Sequence, residues 1–86
     1  MSDSTITITV KLFAAFQEAY GLPELVKEVP LGTTVAQIFD QLLEEKPELE
    51  QWRSLTRFGV NLQFVPPETV LNNGDELVAI PPVSGG

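Results

Sequence analysis

The residues with the most chemistry to offer are the last six. Pro81-Pro82-Val83-Ser84-Gly85-Gly86 follow directly on the apolar run Leu77-Val78-Ala79-Ile80. Proline fixes φ and has no N–H to give to a β-ladder. Two in succession therefore stop strand pairing and stiffen the backbone toward an extended polyproline form. The pattern predicts a tail over 81–86 that projects from a domain over 1–80. Gly85 and Gly86 lack side chains, so they fit a channel too narrow for a Cβ and accept any backbone angle inside it. The carboxylate of Gly86 is then the most accessible reactive group of the chain. The plain alternative is a loose end without a role, since a Gly-Gly terminus arises by chance in about one chain in two hundred.

A carboxylate resists nucleophiles until one of its oxygens becomes a leaving group. Transfer of AMP from ATP to Gly86 does this. A sulfur donor that displaces the AMP leaves a thiocarboxylate, while an amine that displaces it leaves an amide bond to a target protein. Neither route needs Cys, His or a metal in this chain. That matters, because the chain has no Cys and no His. Thiolate nucleophiles, disulfides, Cys/His zinc sites and the imidazole base of the hydrolase triads are all excluded. A protein loaded and unloaded by others fits this inventory, and no catalytic residues of its own are expected. No bound cofactor is expected, and ATP would be consumed by an activating enzyme.

Charge narrows the partners. Five Lys and Arg stand against twelve Asp and Glu, a net charge of −7. Nucleic acid and anionic membranes both call for a basic surface, so neither is expected as a partner. No apolar run approaches the ~20 residues that span a bilayer. The start, Met1-Ser2-Asp3-Ser4, is polar and acidic where a secretory leader is basic and then apolar. A cytoplasmic protein is the default expectation.

The elements that must hold the tail are legible in the spacing. Ile6, Ile8, Val10 and Leu12 alternate with Thr7, Thr9 and Lys11, the period-two pattern of a half-buried strand over 5–13. Ala14 to Tyr20 loses the alternation and predicts a short helical turn ending at Gly21. Leu25 to Leu31 reads as a weaker strand. Val35, Ile38, Phe39, Leu42 and Leu43 form one helical stripe, with a capping-box pattern at Thr34 and Gln37 and a stop at Lys46-Pro47. Residues 48–55 add a shorter helical segment with Trp52. Alternation returns over 58–64, with Phe58, Val60, Leu62 and Phe64 assigned to one face of a single strand. Pro66-Pro67 ends it, and Asn72-Asn73-Gly74-Asp75 marks a turn. Leu77 to Ile80 predicts a central strand buried on both faces. Strand, strand, helix, strand, strand, with the last strand parallel to the first, predicts an α+β fold: the β-grasp, or ubiquitin-like, roll with one main helix across a mixed sheet.

Three segments then carry a resemblance. Val10-Lys-Leu-Phe-Ala-Ala-Phe-Gln-Glu-Ala-Tyr-Gly21, Val60-Asn61, and Gly74-Asp75-Glu76 running on to the Pro-Pro-Val-Ser-Gly-Gly ending resemble the sulfur-carrier family known as MoaD/ThiS. That family holds the small subunit of molybdopterin synthase and the thiazole-synthesis carrier, and the ending is more similar to the molybdopterin branch. The resemblance implies that an adenylyltransferase related to the ubiquitin-activating enzymes adenylates Gly86. A sulfur donor protein then gives the thiocarboxylate. It further implies that Pro81, Pro82, Val83, Ser84 and Gly85 run through a channel of a large catalytic subunit, in a heterotetramer, to deliver sulfur to a pterin precursor. By position Phe64 and Ile80 match exposed apolar contacts beside the tail, with Phe13 as a further candidate; core packing is the alternative for Phe64 and Ile80. One departure stands out: Gln17-Glu18 occupies a place where many members read Arg-Glu.

Other candidates are weaker. Glu44, Glu45, Glu48 and Glu50 read as a solvated helix face, not a metal or acid/base cluster, since no calcium-loop spacing accompanies them. Three functions stay open on sequence grounds. They are a sulfur carrier (for molybdopterin, thiazole or sulfur amino acid synthesis), a modifier conjugated through Gly86, and a β-grasp interaction domain with an incidental tail.

Overall fold

The computed structural model describes residues 4–81. Strand β1 (Thr5–Leu12) opens the chain, and its alternation places Ile6, Ile8, Val10 and Leu12 in the core while Thr5 and Thr7 stay exposed. A six-residue helix α1 (Ala15–Tyr20) follows. It closes at Gly21, which takes the left-handed φ of +71° and donates its N–H to Gln17 O at 2.8 Å. Strand β2 (Glu24–Pro30) runs antiparallel to β1.

Helix α2 (Val35–Glu45) buries its whole predicted stripe, Val35, Ile38, Phe39, Leu42 and Leu43. Its start is a full capping box: Gln37 N donates to Thr34 Oγ1 at 3.3 Å, and Thr34 N donates to Gln37 Oε1 at 2.9 Å. Phe39 anchors it to the sheet and to α1, with edge-to-face contacts at 4.9 Å to Phe58 and 5.8 Å to Phe16. The segment after it is a 3-10 helix, Pro47–Leu55, which buries Leu49 and packs Trp52 at the core margin.

Three strands complete the sheet: β3 (Arg57–Val60), β4 (Gln63–Val65) and β5 (Glu76–Ile80), in the spatial order β2-β1-β5-β3-β4. Strand β5 is central, parallel to β1 and antiparallel to β3. One helix layer across a mixed sheet with these crossings is the β-grasp roll that the element order predicts.

The structure corrects two details. Residues 58–64 are not one strand. Asn61 and Leu62 adopt φ of +51° and +74°, the two positive angles of a tight hairpin turn, and the chain reverses there. Reversal breaks the face assignment, because Phe64 now lies opposite Gly59 and not in line with Phe58. Phe58 is 8% exposed and Phe64 74%. The second correction concerns β5. Leu77 and Ala79 are buried beneath α2, but Val78 and Ile80 on the other face are only half-buried. The strand is central in the sheet, yet no layer among the described residues covers its outer side.

Candidate functional site

That uncovered side carries the end of β5 and Pro81. Ile80 is the last residue of β5, and Pro81 after it is buried against the sheet. Beside them lies an open apolar groove of about 430 Å³, walled by Phe13, Leu62, Phe64, Val78, Ile80 and Pro81. Each wall has a local cause. The hairpin turn throws Leu62 out to 91% exposure, and the reversal turns Phe64 outward on β4. Phe13 is placed by a sharp change of direction between β1 and α1. Ala14 takes φ +52° and ψ −123°, an angle pair that alanine seldom adopts, and Phe13 is left 45% exposed.

The floor is made by an absence. Gly59 sits between Val78 on β5 and Phe64 on β4, its register partners on either side. Without a Cβ there, the sheet dips between the two larger side chains. A Cβ built at that position would come within 3.4 Å of Gln63 O. Phe13, Leu62 and Phe64 together form an apolar patch that water penalises at ~25 cal/mol per Å² of exposed area, the usual mark of a surface meant to be covered.

Asp75 fixes the hairpin that walls the groove relative to β5. Its Oδ1 accepts from Asn61 Nδ2 at 3.0 Å and its Oδ2 from Asn72 N at 2.7 Å, while Glu76 N donates to Asn61 Oδ1 at 3.1 Å. The hairpin turn is thereby tied to the start of β5. Gly74, at φ +86°, donates its N–H to Thr7 O at 2.8 Å and keeps the turn packed on β1. The Gly74-Asp75-Glu76 motif is a structural clamp.

On the other flank, Lys11 bridges Glu24 at 3.0 Å and Glu76 at 3.8 Å. The Glu24 hydrogen bond and the two negative charges raise the Lys11 pKa above its ordinary value. Glu45 and Glu50, two of the acidic residues singled out on α2 and the 3-10 helix, are held by different partners. Glu45 accepts from Tyr20 Oη at 2.7 Å and from Lys27 Nζ at 3.2 Å, and Glu50 from Arg53 Nε at 2.6 Å. No group of acidic side chains among the described residues is placed to hold a metal ion.

The structure thus brings Phe13, Phe64, Ile80 and Pro81 to one groove. Pro82, Val83, Ser84, Gly85 and Gly86 lie outside the described residues. Gln17, at the position of the departure noted above, is exposed on α1. Two groove residues, Leu62 and Gly59, escape the sequence reading because period two carries straight through the turn. Asn61, a residue that tolerates positive φ, is the signal that marks it.

Comparison with known proteins follows the geometry. The ThiS family profile matches residues 10–86. A molybdopterin synthase sulfur carrier subunit from Arabidopsis thaliana is 36% identical over 83 residues, covering 96% of this chain and 86% of that protein. Among solved structures, small archaeal modifier protein 1 (SAMP1) from Haloferax volcanii aligns with TM-score 0.78 at 29% identity, over 93% of this chain and 99% of that one. A chain of the complex of subunits 1 and 2 of molybdopterin-converting factor from Helicobacter pylori aligns with TM-score 0.61 at 22% identity, over 94% and 100%.

Proposed function

The chain belongs to the ThiS family, and on that premise we propose that it carries sulfur on the carboxylate of Gly86 as the small subunit of molybdopterin synthase. One observation carries the reading. Pro81, which opens the Pro-Pro-Val-Ser-Gly-Gly ending, is itself part of the wall of an exposed apolar groove. A partner that closes over Phe13, Phe64 and Ile80 therefore receives the tail at a fixed point. The sheet supplies the aim, and the six residues from Pro81 supply the reach, at most ~3.3–3.6 Å per extended residue.

The chemistry runs in balanced steps. A Gly86 carboxylate oxygen attacks the α-phosphorus of ATP in the activating enzyme, and pyrophosphate leaves. Sulfur at the oxidation level of sulfide, supplied by a donor protein, attacks the acyl carbon and expels AMP. The thiocarboxylate formed is an anion at neutral pH and a good sulfur nucleophile. In the large catalytic subunit the sulfur bonds to a carbon of a pterin precursor and displaces an oxygen substituent from it, water adds to the acyl carbon as the acyl–sulfur bond breaks, and the Gly86 carboxylate is regenerated. This chain contributes binding and delivery, while the catalytic groups belong to the partners. The name of the Arabidopsis relative, a sulfur carrier subunit, supports the role, and the Helicobacter complex of two subunits supports a large-subunit partner.

Intact mass tests it. The chain is incubated with ATP, the activating enzyme and a sulfur donor of its own cell. The expected gain is that of one sulfur replacing one oxygen, lost when Gly86 is deleted. Absence of the gain with the intact chain would overturn the carrier reading.

A second reading has an observation of its own, the alignment with small archaeal modifier protein 1. In that reading an amine displaces AMP, and products of higher mass appear, joined through Gly86 to lysines of other proteins. The same mass experiment in cell extract separates the two.

A further inference from the structure

Five cations serve a chain with twelve carboxylates, and the positions of four are explained. Lys11 holds Glu24 and Glu76, Lys27 holds Glu45, and Arg53 holds Glu50 and Asp40 at 2.6 and 2.9 Å. Lys46 lies 5.4 Å from the centre of the Tyr20 ring. The fifth is Arg57. It is exposed, and its guanidinium has no ion pair, hydrogen bond or ring partner among the described residues.

Its place is distinctive. On β3 it lies directly opposite Ile80, one residue before the tail begins. Arg57 also lines a second groove, of about 460 Å³, on the helix side of the β3–β4 hairpin, with Phe39, Phe58, Val65 and Pro67 as apolar lining. Phe64 lines both grooves. A partner that covers the first groove and passes over Phe64 therefore arrives at Arg57.

We propose that Arg57 receives a carboxylate side chain of the protein partner that closes over the apolar groove, and so sets the orientation in which the tail is presented. The inference rests on the carrier reading. An apolar groove binds without direction, since hydrophobic attraction depends on area and not on angle. A guanidinium imposes one, because its planar fork accepts a carboxylate in a narrow, two-point geometry. Partner contact also excludes water from the pair, which strengthens it over an exposed surface bridge. Long-range attraction is not the source of this contact, as a chain of net charge −7 repels acidic surfaces at a distance. The carboxylate must therefore belong to a local feature of an otherwise neutral or basic face.

The test is calorimetric binding of the full chain to the large catalytic subunit of molybdopterin synthase from the same cell, at low and high salt. Arg57→Glu is expected to weaken binding by about tenfold or more, and Arg57→Ala by several-fold, with Arg57→Lys in between wild type and Ala. Each variant should keep the wild-type melting temperature, because residue 57 is exposed. The difference between wild type and Arg57→Ala should shrink at high salt. Equal binding by wild type, Arg57→Ala and Arg57→Glu, with Phe64→Ala weakened in the same series, would overturn the role of Arg57 and leave the carrier reading standing. No binding by the wild type would overturn both.

Discussion

Asn61 and Asp75 lie in different turns yet act as one joint. The Asn61 amide donates to the Asp75 carboxylate at 3.0 Å, and the Asn61 carbonyl oxygen accepts from Glu76 N at 3.1 Å. One turn exposes Leu62 beside the groove and the other starts β5, which ends at the tail. The joint thus sets the distance between the exposed Leu62 and the end of β5 at Ile80.

Breaking the joint should cost more in binding than in folding. Asp75→Ala removes two acceptor contacts, one of them to a backbone N–H. At ~0.5–1.5 kcal/mol for each hydrogen bond, the loss in urea denaturation is about 1–3 kcal/mol. At a temperature where the variant is fully folded, its affinity for the large subunit should still fall, because Leu62 and Phe64 are no longer held in place. A variant that binds normally once folded would show that the hairpin keeps its shape without Asp75.

Phe58 and Phe64 should separate cleanly. Phe58 packs 4.9 Å from Phe39 in the core, so Phe58→Ala is expected to cost ~3–5 kcal/mol of stability. Phe64 is exposed on the opposite face, so Phe64→Ser should leave the melting temperature close to wild type and weaken partner binding. Thermal denaturation and calorimetry on the two proteins decide the matter. Equal destabilisation by both would mean that the two rings share the core.

Those two rings also show where the sequence stops being informative. Alternation identified β1 because all eight of its residues keep one register, and the five apolar positions of α2 fall on one stripe with a cap before them. The same period-two pattern misled at Phe58 to Phe64. Period two is blind to a two-residue reversal that leaves the count of alternating positions intact. The face of β5 was hidden for a related reason. Leu77 to Ile80 are all apolar whether the outer side is covered by the protein's own chain or by a partner. The chemistry proposed for the tail rests on residue types alone, namely two prolines and two glycines at the end, and those residues beyond Pro81 lie outside the described ones. The groove beside Pro81 was not legible, because Gly59 contributes by lacking a side chain and Ala14 by an unusual backbone angle.

Filling the groove is a direct check on its role. Gly59 has an ordinary strand φ, so a larger residue meets no backbone strain, and the nearest obstacle is Gln63 O at 3.4 Å. Gly59→Val is expected to fold, with a stability change within about 1 kcal/mol, since Val suits strands and Gly does not. Its γ-carbons would occupy the floor between Val78 and Phe64. On the proposed function, binding to the large subunit should decline, and with it binding to the proposed activating enzyme. Unchanged affinity for both would place the contact surface elsewhere on the sheet.

The last prediction concerns pH and the opposite side of the molecule. Glu45 accepts from the Tyr20 hydroxyl and from Lys27 Nζ, and these contacts, the Tyr20 bond first, hold its carboxyl below the ordinary value of 4.5. A carboxyl with a depressed folded pKa stabilises the fold above its unfolded value, and that stability is lost as pH falls through the folded value. Tyr20 has the reverse sense. Burial first, then the Glu45 hydrogen bond and charge, push its pKa well above 10. Its contribution is whole below pH ~10 and is lost as pH rises beyond that through the folded value. Melting temperature measured against pH should therefore show wild type above Glu45→Gln at neutral pH, with the gap closing below about pH 4.5. Tyr20→Phe should narrow that same acid gap and also flatten the alkaline limb. A gap that stayed constant down to pH 2 would mean that Glu45 titrates alike in the folded and unfolded chain, and that the Tyr20 bond adds nothing to stability.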